Sequence, residues 1–490
     1  MSERRKLVME LVTLAAFCAF LFFFGLGSFG LTGPDEPRYA QVAREMIERQ
    51  DWVTPTLYGK PWLEKPVLYY WQARVAFAVF GVADWTARLP GAAFAALLVA
   101  AAYAFMRRFR PGGQLEAALI TASSAGVLGF GRGASTDMQI AAPFAAGMMA
   151  WYAWLEGGRK LWLAAFYALM GVATLAKGPV APLLAALGIG VFAALRREPA
   201  MIRRTLWLPG VALYLAVALP WYVAVQLRNP EFFRVFILEH NLARFSSDLY
   251  LHRQPFWYFA PVLLLAMAPW TAFAAAAVAS VVRRWRAWAS PEETLPVFLL
   301  SWGMAPVAFF SLSQSKLPGY ILPAVPAFAL LVAEYVQRRQ RVESAPGWAL
   351  LAAHAGLLGL LTVAALLFPY FLERPRLPVP GWMAAAAGAL GALVTAAVLV
   401  SLRRQGLVIL RFVTLAPVIV ILAYVLRVEA PILDQAISAR PVARDLDRLG
   451  TEKSVVAVYR AHRSLEYGLA FYRNRPVPRY ERDHAPEGEH

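Results

Sequence analysis

The stretch GPDEPRYAQVAREMIERQDWVTPTLYGKPWLEKPVLYYWQ, Gly33 to Gln72, decides how the rest of the chain is read. It lies between two long apolar segments and is unlike either. Asp35, Glu36, Arg38, Glu45, Glu48, Asp51, Lys60, Glu64 and Lys65 crowd into it beside Tyr58, Trp62, Tyr69, Tyr70 and Trp71. Charges this dense next to a membrane span are either a solvated loop or a site. A solvated loop is rich in Gly, Ser and Asn and lacks a Trp/Tyr cluster, so the composition favours a site. Helix punctuation is present as well: Asp35 or Glu36 suits an N-terminal cap, Pro37 the first turn, and Val42, Met46 and Ile47 share one apolar face. Val67 to Phe80 forms a second amphipathic piece. The pattern predicts two short helices on the membrane surface with a polar loop held between them.

Around this stretch the composition sets the class. Of 490 residues, 59% are hydrophobic and only 16% charged, which defines a polytopic membrane protein. The net charge of +17 invites a nucleic-acid reading, but the basic residues fall mainly in short clusters between apolar runs. That is the positive-inside pattern, and no nucleic-acid partner is expected. The single cysteine, Cys18, lies inside the first apolar run and excludes an intrachain disulfide. The N-terminal MSERRK followed by Leu11–Leu31 resembles a signal peptide, but its apolar run is too long for a typical h-region and no A-x-A site follows. It is expected to stay as the first span.

Twelve further apolar runs follow: Ala87–Met106, Leu115–Phe130, Ile140–Leu155, Leu161–Ala176, Val180–Leu195, Leu206–Gln226, Phe256–Val282, Val297–Leu312, Ile321–Val336, Trp348–Phe368, Gly381–Leu402 and Val408–Leu426. With the N-terminus placed in the cytoplasm, every inside loop carries an Arg/Lys cluster and the short outside loops carry one or two basic residues. The expectation is an all-α bundle of about 13 spans, multi-pass in a bacterial inner membrane, with periplasmic juxtamembrane helices and a periplasmic C-terminus. Residues 1–428 form the transmembrane domain. Residues 429–490 form a small α/β tail: Leu433–Leu449 helical, Ser454–Tyr459 extended, Ser464–Tyr472 helical and Pro476–Tyr480 extended. About 60 residues is marginal for an independent core, so the tail is expected to pack on the membrane part.

This topology sorts the polar residues. Asp35, Glu36, Arg38, Glu64, Lys65, Arg132, Asp137, Lys177, Glu239, His240, Arg244, His252, Arg253, Lys316 and Tyr320 fall on one face, and the other face is almost purely basic. A membrane-embedded site therefore opens to the outside. Several of these residues have a plain structural reading too: Asp137 as the cap of the next helix, Lys177 and Lys316 as snorkelling interfacial lysines, His240 as a structural hydrogen-bonder. Lys/Arg residues converging on one face suit a phosphate or pyrophosphate, and carboxylates beside them suit base catalysis or positioning. No HExxH, CxxC, P-loop or GxGxxG motif stands in a suitable context, so no nucleotide cofactor is expected. Outside an inner membrane there is no nucleotide-sugar pool, and an activated group must arrive on a lipid phosphate.

Taken in order, DEPRYAQVAREM, WLEKPVLYYW, STD, LAKGP, FILEH and SKLPGYILP resemble the bacterial members of glycosyltransferase family 39, and most closely the lipid A aminoarabinose transferases. The resemblance covers the spans up to about residue 330 and the rest by architecture. It implies a GT-C fold with 13 spans and a periplasmic C-terminal domain. It also implies transfer of a sugar, 4-amino-4-deoxy-L-arabinose, from a polyprenyl-phosphate donor to lipid A phosphate or another glycolipid acceptor. Asp35 and Asp137 correspond to the family's acidic residues, and Lys65 to the residue that grips the lipid phosphate. Arg38, Tyr39 and Tyr320 line the same cavity, with Lys177, Arg244, Arg253 and Lys316 as further substrate contacts. Glu64 and His240 fall where the family can hold a divalent metal such as zinc. The C-terminal tail is shorter than in typical aminoarabinose transferases. Protein O-mannosylation is the alternative within the same fold. A lipid-linked-sugar transporter is the alternative outside enzymes, but it requires polar or broken helices near the midplane.

Overall fold

The computed structural model describes residues 2–243, 254–342, 346–372, 378–451 and 454–480, with the side chains of 240–243 and 372 left aside. Within them the chain is almost entirely helical. α1 (Glu3–Cys18) leads into α2 (Asp35–Glu48), a two-stranded hairpin of β1 (Thr56–Leu57) and β2 (Lys60–Pro61), and α3 (Leu68–Phe80). The two short helices and the loop between them are therefore present where the sequence placed them. The hairpin turns on Tyr58 and Gly59, both with positive φ, as a two-residue turn of this hand requires. Val75, Val79 and Phe80 face outward along α3, giving it an apolar side for the bilayer surface.

Next come α4 (Asp84–Phe109), α5 (Gln114–Ser123), α6 (Ala125–Gly131), α7 (Asp137–Gly157), α8 (Lys160–Lys177), α9 (Val180–Arg196), the short α10 (Ala200–Thr205) and α11 (Leu208–Arg228). The π-helical α12 (Phe233–Ala243), α13 (Phe259–Ala266), α14 (Thr271–Arg283), α15 (Thr294–Ser311), α16 (Val325–Arg341), α17 (Trp348–Leu372), α18 (Gly381–Gln405) and α19 (Leu410–Tyr424) complete the bundle. α16 is the central rod, buried along nearly its whole length. Trp151, Trp270 and Trp302 are fully buried in the bundle.

Eight helical stretches among the described residues are long and apolar enough to cross a membrane, or nine if the pair bent between Ala266 and Thr271 is one span. All thirteen apolar runs are helical, but the count of thirteen spans is not established. The run 115–130 breaks at Ser124, where the amide of Ala125 bonds to the carbonyl of Ala268 at 2.8 Å, and α9 has only 17 residues.

The tail forms α20 (Ala430–Ile437), α21 (Arg440–Arg448), β3 (Val458–Tyr459), α22 (Arg463–Arg473) and β4 (Arg479–Tyr480), with β3 and β4 paired in parallel. The helix expected over 433–449 is split at Ser438, whose extended backbone ends α20. The tail docks on the end of the bundle that carries α2. Tyr472 donates to Asp84 at 2.6 Å and accepts from the amide of Leu31 at 2.8 Å. Arg440 bridges Asp84 at 2.8 Å and Asp434 at 2.7 Å.

Candidate active site

α2 starts at Asp35 because the next residue fixes the turn before it. The Glu36 carboxylate folds back onto the amide of Thr32 at 2.7 Å, accepts from the amide of Ala134 at 2.8 Å, and takes two bonds from Arg88 at 3.1 and 2.7 Å. The other donors of the Arg88 guanidinium go to the carbonyls of Leu26, Phe29 and Gly30, each at 2.8 Å. All five guanidinium donors are therefore engaged. Burial pushes the Glu36 carboxyl up, but Arg88 and the two amides outweigh it and hold the group below the usual carboxylate range. Glu36 is fully committed to ordering the loops of α1, α4 and α6 around the start of α2.

Asp35 is half-exposed and forms an ion pair with Arg38 one turn on. The Arg38 guanidinium lies against Trp62 at 4.9 Å, Tyr39 at 5.2 Å and Tyr467 at 5.4 Å. Burial works against its charge, but Tyr39, Asp35 and Glu64 more than offset this and hold the guanidinium firmly charged. Beneath it Tyr39 is buried in a trio with Tyr69 and Tyr70, ring centroids about 6 Å apart. Burial, then the charge of Asp35, and more weakly that of Asp137 push the Tyr39 hydroxyl well up, so Asp35 and Asp137 both act on one buried phenol.

Asp137 opens α7 and pairs with Lys177, the last residue of α8. Lys177 also lies 5.4 Å from the ring of Tyr320. The carboxylate of Asp137 reaches this position because residue 319 is glycine: a Cβ there would sit 2.4 Å from Asp137 Oδ1. Two carboxylate–cation pairs, Asp35–Arg38 and Asp137–Lys177, thus flank Tyr39.

The hairpin brings in the rest. Glu45 on α2 accepts from the hydroxyl of Thr56 at 2.8 Å and from the amides of Tyr58 and Gly59 at 2.7 and 3.1 Å. This latch fixes the chain just before Glu64 and Lys65. Both are half-buried at a bend ahead of α3, and Pro66 biases Lys65 toward extended backbone.

The structure thus brings together Asp35, Arg38, Tyr39, Glu64, Asp137, Lys177 and Tyr320, with Lys65 next to Glu64. Two other residues of the same face sit differently. Lys316 is buried and donates to the backbone carbonyls of Ser313 and Gln254, the latter at 3.1 Å, so its ammonium ties down a loop. Arg132 donates to the carbonyls of Leu21, Phe24 and Gly25 at 2.7, 2.9 and 3.0 Å and caps the end of the first span. The side chain of His240, and Arg244 and Arg253, lie outside the described residues. Among the described residues no three His, Cys, Asp or Glu side chains cluster as a metal site would require. A metal on Glu64 would therefore depend on His240 and on water or substrate oxygens.

Sequence reading missed two groups. Arg88 lies at the start of the run Ala87–Met106, and nothing local marks it as the partner of Glu36. Arg463, Glu466, Tyr467 and Arg479 of the tail meet Arg38, Trp62 and Glu64 around a cavity of about 340 Å³. No sequence signal links residues some 400 positions apart.

A polytopic helical bundle with a charged site at one end of its core defines a class of membrane enzyme folds, and comparison with known proteins places the chain within it. Its fold matches ArnT from Cupriavidus metallidurans bound to undecaprenyl phosphate with a TM-score of 0.78 at 24% identity, over 97% of this chain and 86% of that one. An Archaeoglobus fulgidus oligosaccharyltransferase matches with a TM-score of 0.50 at 13% identity, over 96% and 62%. The architecture is thus the GT-C fold. Residues 64–223 match the family described as dolichyl-phosphate-mannose-protein mannosyltransferase. The chain is 34% identical over 368 residues to the undecaprenyl phosphate-α-4-amino-4-deoxy-L-arabinose arabinosyl transferase of Serratia proteamaculans, a match covering 72% of this chain and 64% of that protein. It is 32% identical over 393 residues to the transferase of the same description from Pseudomonas aeruginosa, covering 76% and 68%. The chain belongs to the family of these undecaprenyl phosphate-aminoarabinose arabinosyl transferases, and its match spans just under two thirds of the length of the Serratia relative.

Proposed function

We propose that this chain is a membrane glycosyltransferase that moves a sugar from a polyprenyl-phosphate donor to a lipid-borne acceptor, 4-amino-4-deoxy-L-arabinose to lipid A phosphate. The observation that carries the reading is the convergence of Asp35–Arg38 and Asp137–Lys177 on Tyr39. The printed functions of the Serratia and Pseudomonas relatives support the donor and sugar.

In this reading an acceptor phosphate oxygen attacks the anomeric carbon, and the carbon–oxygen bond to the donor phosphate breaks. The electron pair stays on the departing polyprenyl phosphate. One phosphate gains a charge as the other loses one, so no proton moves. Lys65 stabilises the growing charge on the leaving group, which is the largest contribution the protein makes. Asp35 then holds Arg38 and positions the acceptor; with a hydroxyl acceptor it becomes the general base. Lys177 pairs with Asp137 and orients its carboxylate. Arg244 and Arg253 are proposed as further phosphate contacts, and Lys316 as a loop tie.

A divalent metal is proposed on Glu64 and His240, where it would supply further charge to the phosphate. Glu64→Gln and His240→Ala should each lower the metal content of purified protein, and unchanged content in both removes the assignment. Residues 1–428 are proposed as the catalytic unit and 429–490 as a periplasmic cover, in a bacterial inner membrane with the site outside. A reporter fused after Arg404 should read cytoplasmic and one after Tyr480 periplasmic; the same side for both overturns this orientation. The mannosyltransferase description of the family matched over 64–223 favours a second reading, transfer of mannose to protein.

The deciding experiment is transfer of radiolabelled sugar from polyprenyl phosphate in proteoliposomes, with lipid A and with peptide offered separately. Label in lipid A supports the main reading, and label in peptide the second. Label in neither, with donor intact, overturns both.

A further inference from the structure

The cavity between the hairpin loop and the tail is built differently from the site beneath it. Its walls are three arginines, Arg38, Arg463 and Arg479, two carboxylates, Glu64 and Glu466, and the rings of Trp62 and Tyr467. Among the described residues no aliphatic side chain lines it, so it suits a prenyl chain poorly. Guanidinium groups match a phosphate with paired donors. Aromatic rings offer a flat apolar face to a sugar ring, and carboxylates accept from hydroxyl and amine groups. Among the described residues that line it, three cations stand against two anions. Glu466 stands 3.8 Å from Arg479, which holds the carboxylate to one side of the cavity.

We propose that this cavity binds the phosphorylated sugar headgroup of the acceptor lipid, with the C-terminal tail supplying Arg463, Arg479 and Tyr467 as acceptor-recognition residues. The inference rests on the transferase reading above for the word acceptor, but the site itself is defined by binding. Arg38 joins the two sites. It is ion-paired to Asp35 on one side and lies against Trp62 and Tyr467 on the other. A phosphate held by Arg463 and Arg479 and handed to Arg38 would present its oxygen beside Asp35, where the anomeric carbon is to be attacked. The tail's length then matters less than its docking. Tyr472 and Arg440 fix α22 over the cavity through Asp84 and the carbonyls that end the first span.

The test is binding to the full chain in lipid nanodiscs. The probes are glucosamine 1-phosphate, glucosamine, inorganic phosphate and undecaprenyl phosphate, titrated separately. Wild type should bind glucosamine 1-phosphate more tightly than either fragment. Arg463→Ala and Arg479→Ala should each weaken that binding on the order of tenfold, the loss of one charged hydrogen-bonding partner. Arg479→Lys should recover part of it, and undecaprenyl phosphate should bind all variants as it binds wild type. Unchanged phosphosugar affinity in the double variant overturns the proposal. So does an equal fall for undecaprenyl phosphate, which would assign the cavity to the donor, or inorganic phosphate binding as well as the phosphosugar. Arg463 is exposed at the start of α22, so Arg463→Ala is read alone if the double variant does not fold. Because no transfer is measured, a chain that binds the phosphosugar but moves no sugar keeps this site and loses the transferase reading. A chain whose double variant still binds while wild type transfers does the reverse.

Discussion

Glu36 and Asp35 are neighbours on one helix, each paired with an arginine, yet they belong to two different regions of the molecule. Glu36–Arg88 is closed: the guanidinium has spent every donor, and both carboxylate oxygens are bonded. Asp35–Arg38 is open: the Asp35 side chain is 52% exposed, and among the described residues the buried Arg38 Nε has no hydrogen-bond partner. A charge pair with every bond filled can only hold a shape. A pair with capacity left over can take a ligand. The number of unfilled bonds separates scaffold from site here, where residue type does not.

The largest expected effect breaks the closed pair. Arg88→Ala leaves a buried carboxylate uncompensated and should cost about 3–5 kcal/mol, read as loss of folded protein or a large fall in melting temperature in detergent. A variant that melts like wild type would return Glu36–Arg88 to a decorative role.

Lys65→Ala tests the open region in the opposite way. Losing ~3 kcal/mol of leaving-group stabilisation lowers transfer on the order of a hundredfold, with melting unchanged. Lys65→Arg keeps the charge and changes the geometry, so it should recover activity only in part. Normal transfer by folded Lys65→Ala removes the phosphate-gripping role.

The closed pair also has a pH signature. The folded Glu36 carboxyl lies below its unfolded value of 4.5, so its stabilising contribution is fully present above that pH. It is lost as pH falls through the lower folded value. The stability gap between wild type and Glu36→Gln should therefore be constant near neutrality and shrink below about pH 4.5, followed by chemical denaturation. A gap that instead widens on acidification contradicts the assignment.

The smallest effect concerns the tail. Tyr472→Phe removes one hydroxyl that serves Asp84 and Leu31, and should cost about 1 kcal/mol of stability. Hydrogen exchange in α22 should rise while the amides of α16 stay protected. Equal change in both helices would mean that the tail and bundle unfold as one unit.

Much of this was legible in the sequence because it is local. Apolar runs long enough to span, basic clusters between them, and two helix starts around Asp35 and Val67 are patterns of neighbours, and the backbone has few other ways to satisfy its hydrogen bonds in lipid. The tail's elements were legible for the same reason, though the helix over 433–449 was not seen to split at Ser438. The span count was less legible, since hydropathy does not show that the amide of Ala125 breaks a helix to reach Ala268.

The sequence by itself therefore determined the class, the helical bundle and the charged stretch that carries the site. The tertiary structure decided which charges are committed and which are available. It spent Glu36, Arg132 and Lys316 on backbone loops, set Asp137 against Lys177 across Gly319, and carried Arg463, Glu466, Tyr467 and Arg479 to Arg38 from the far end of the chain. The physical reason is that burial and bonding capacity are properties of a side chain's surroundings. In a bundle those surroundings come from helices hundreds of residues apart.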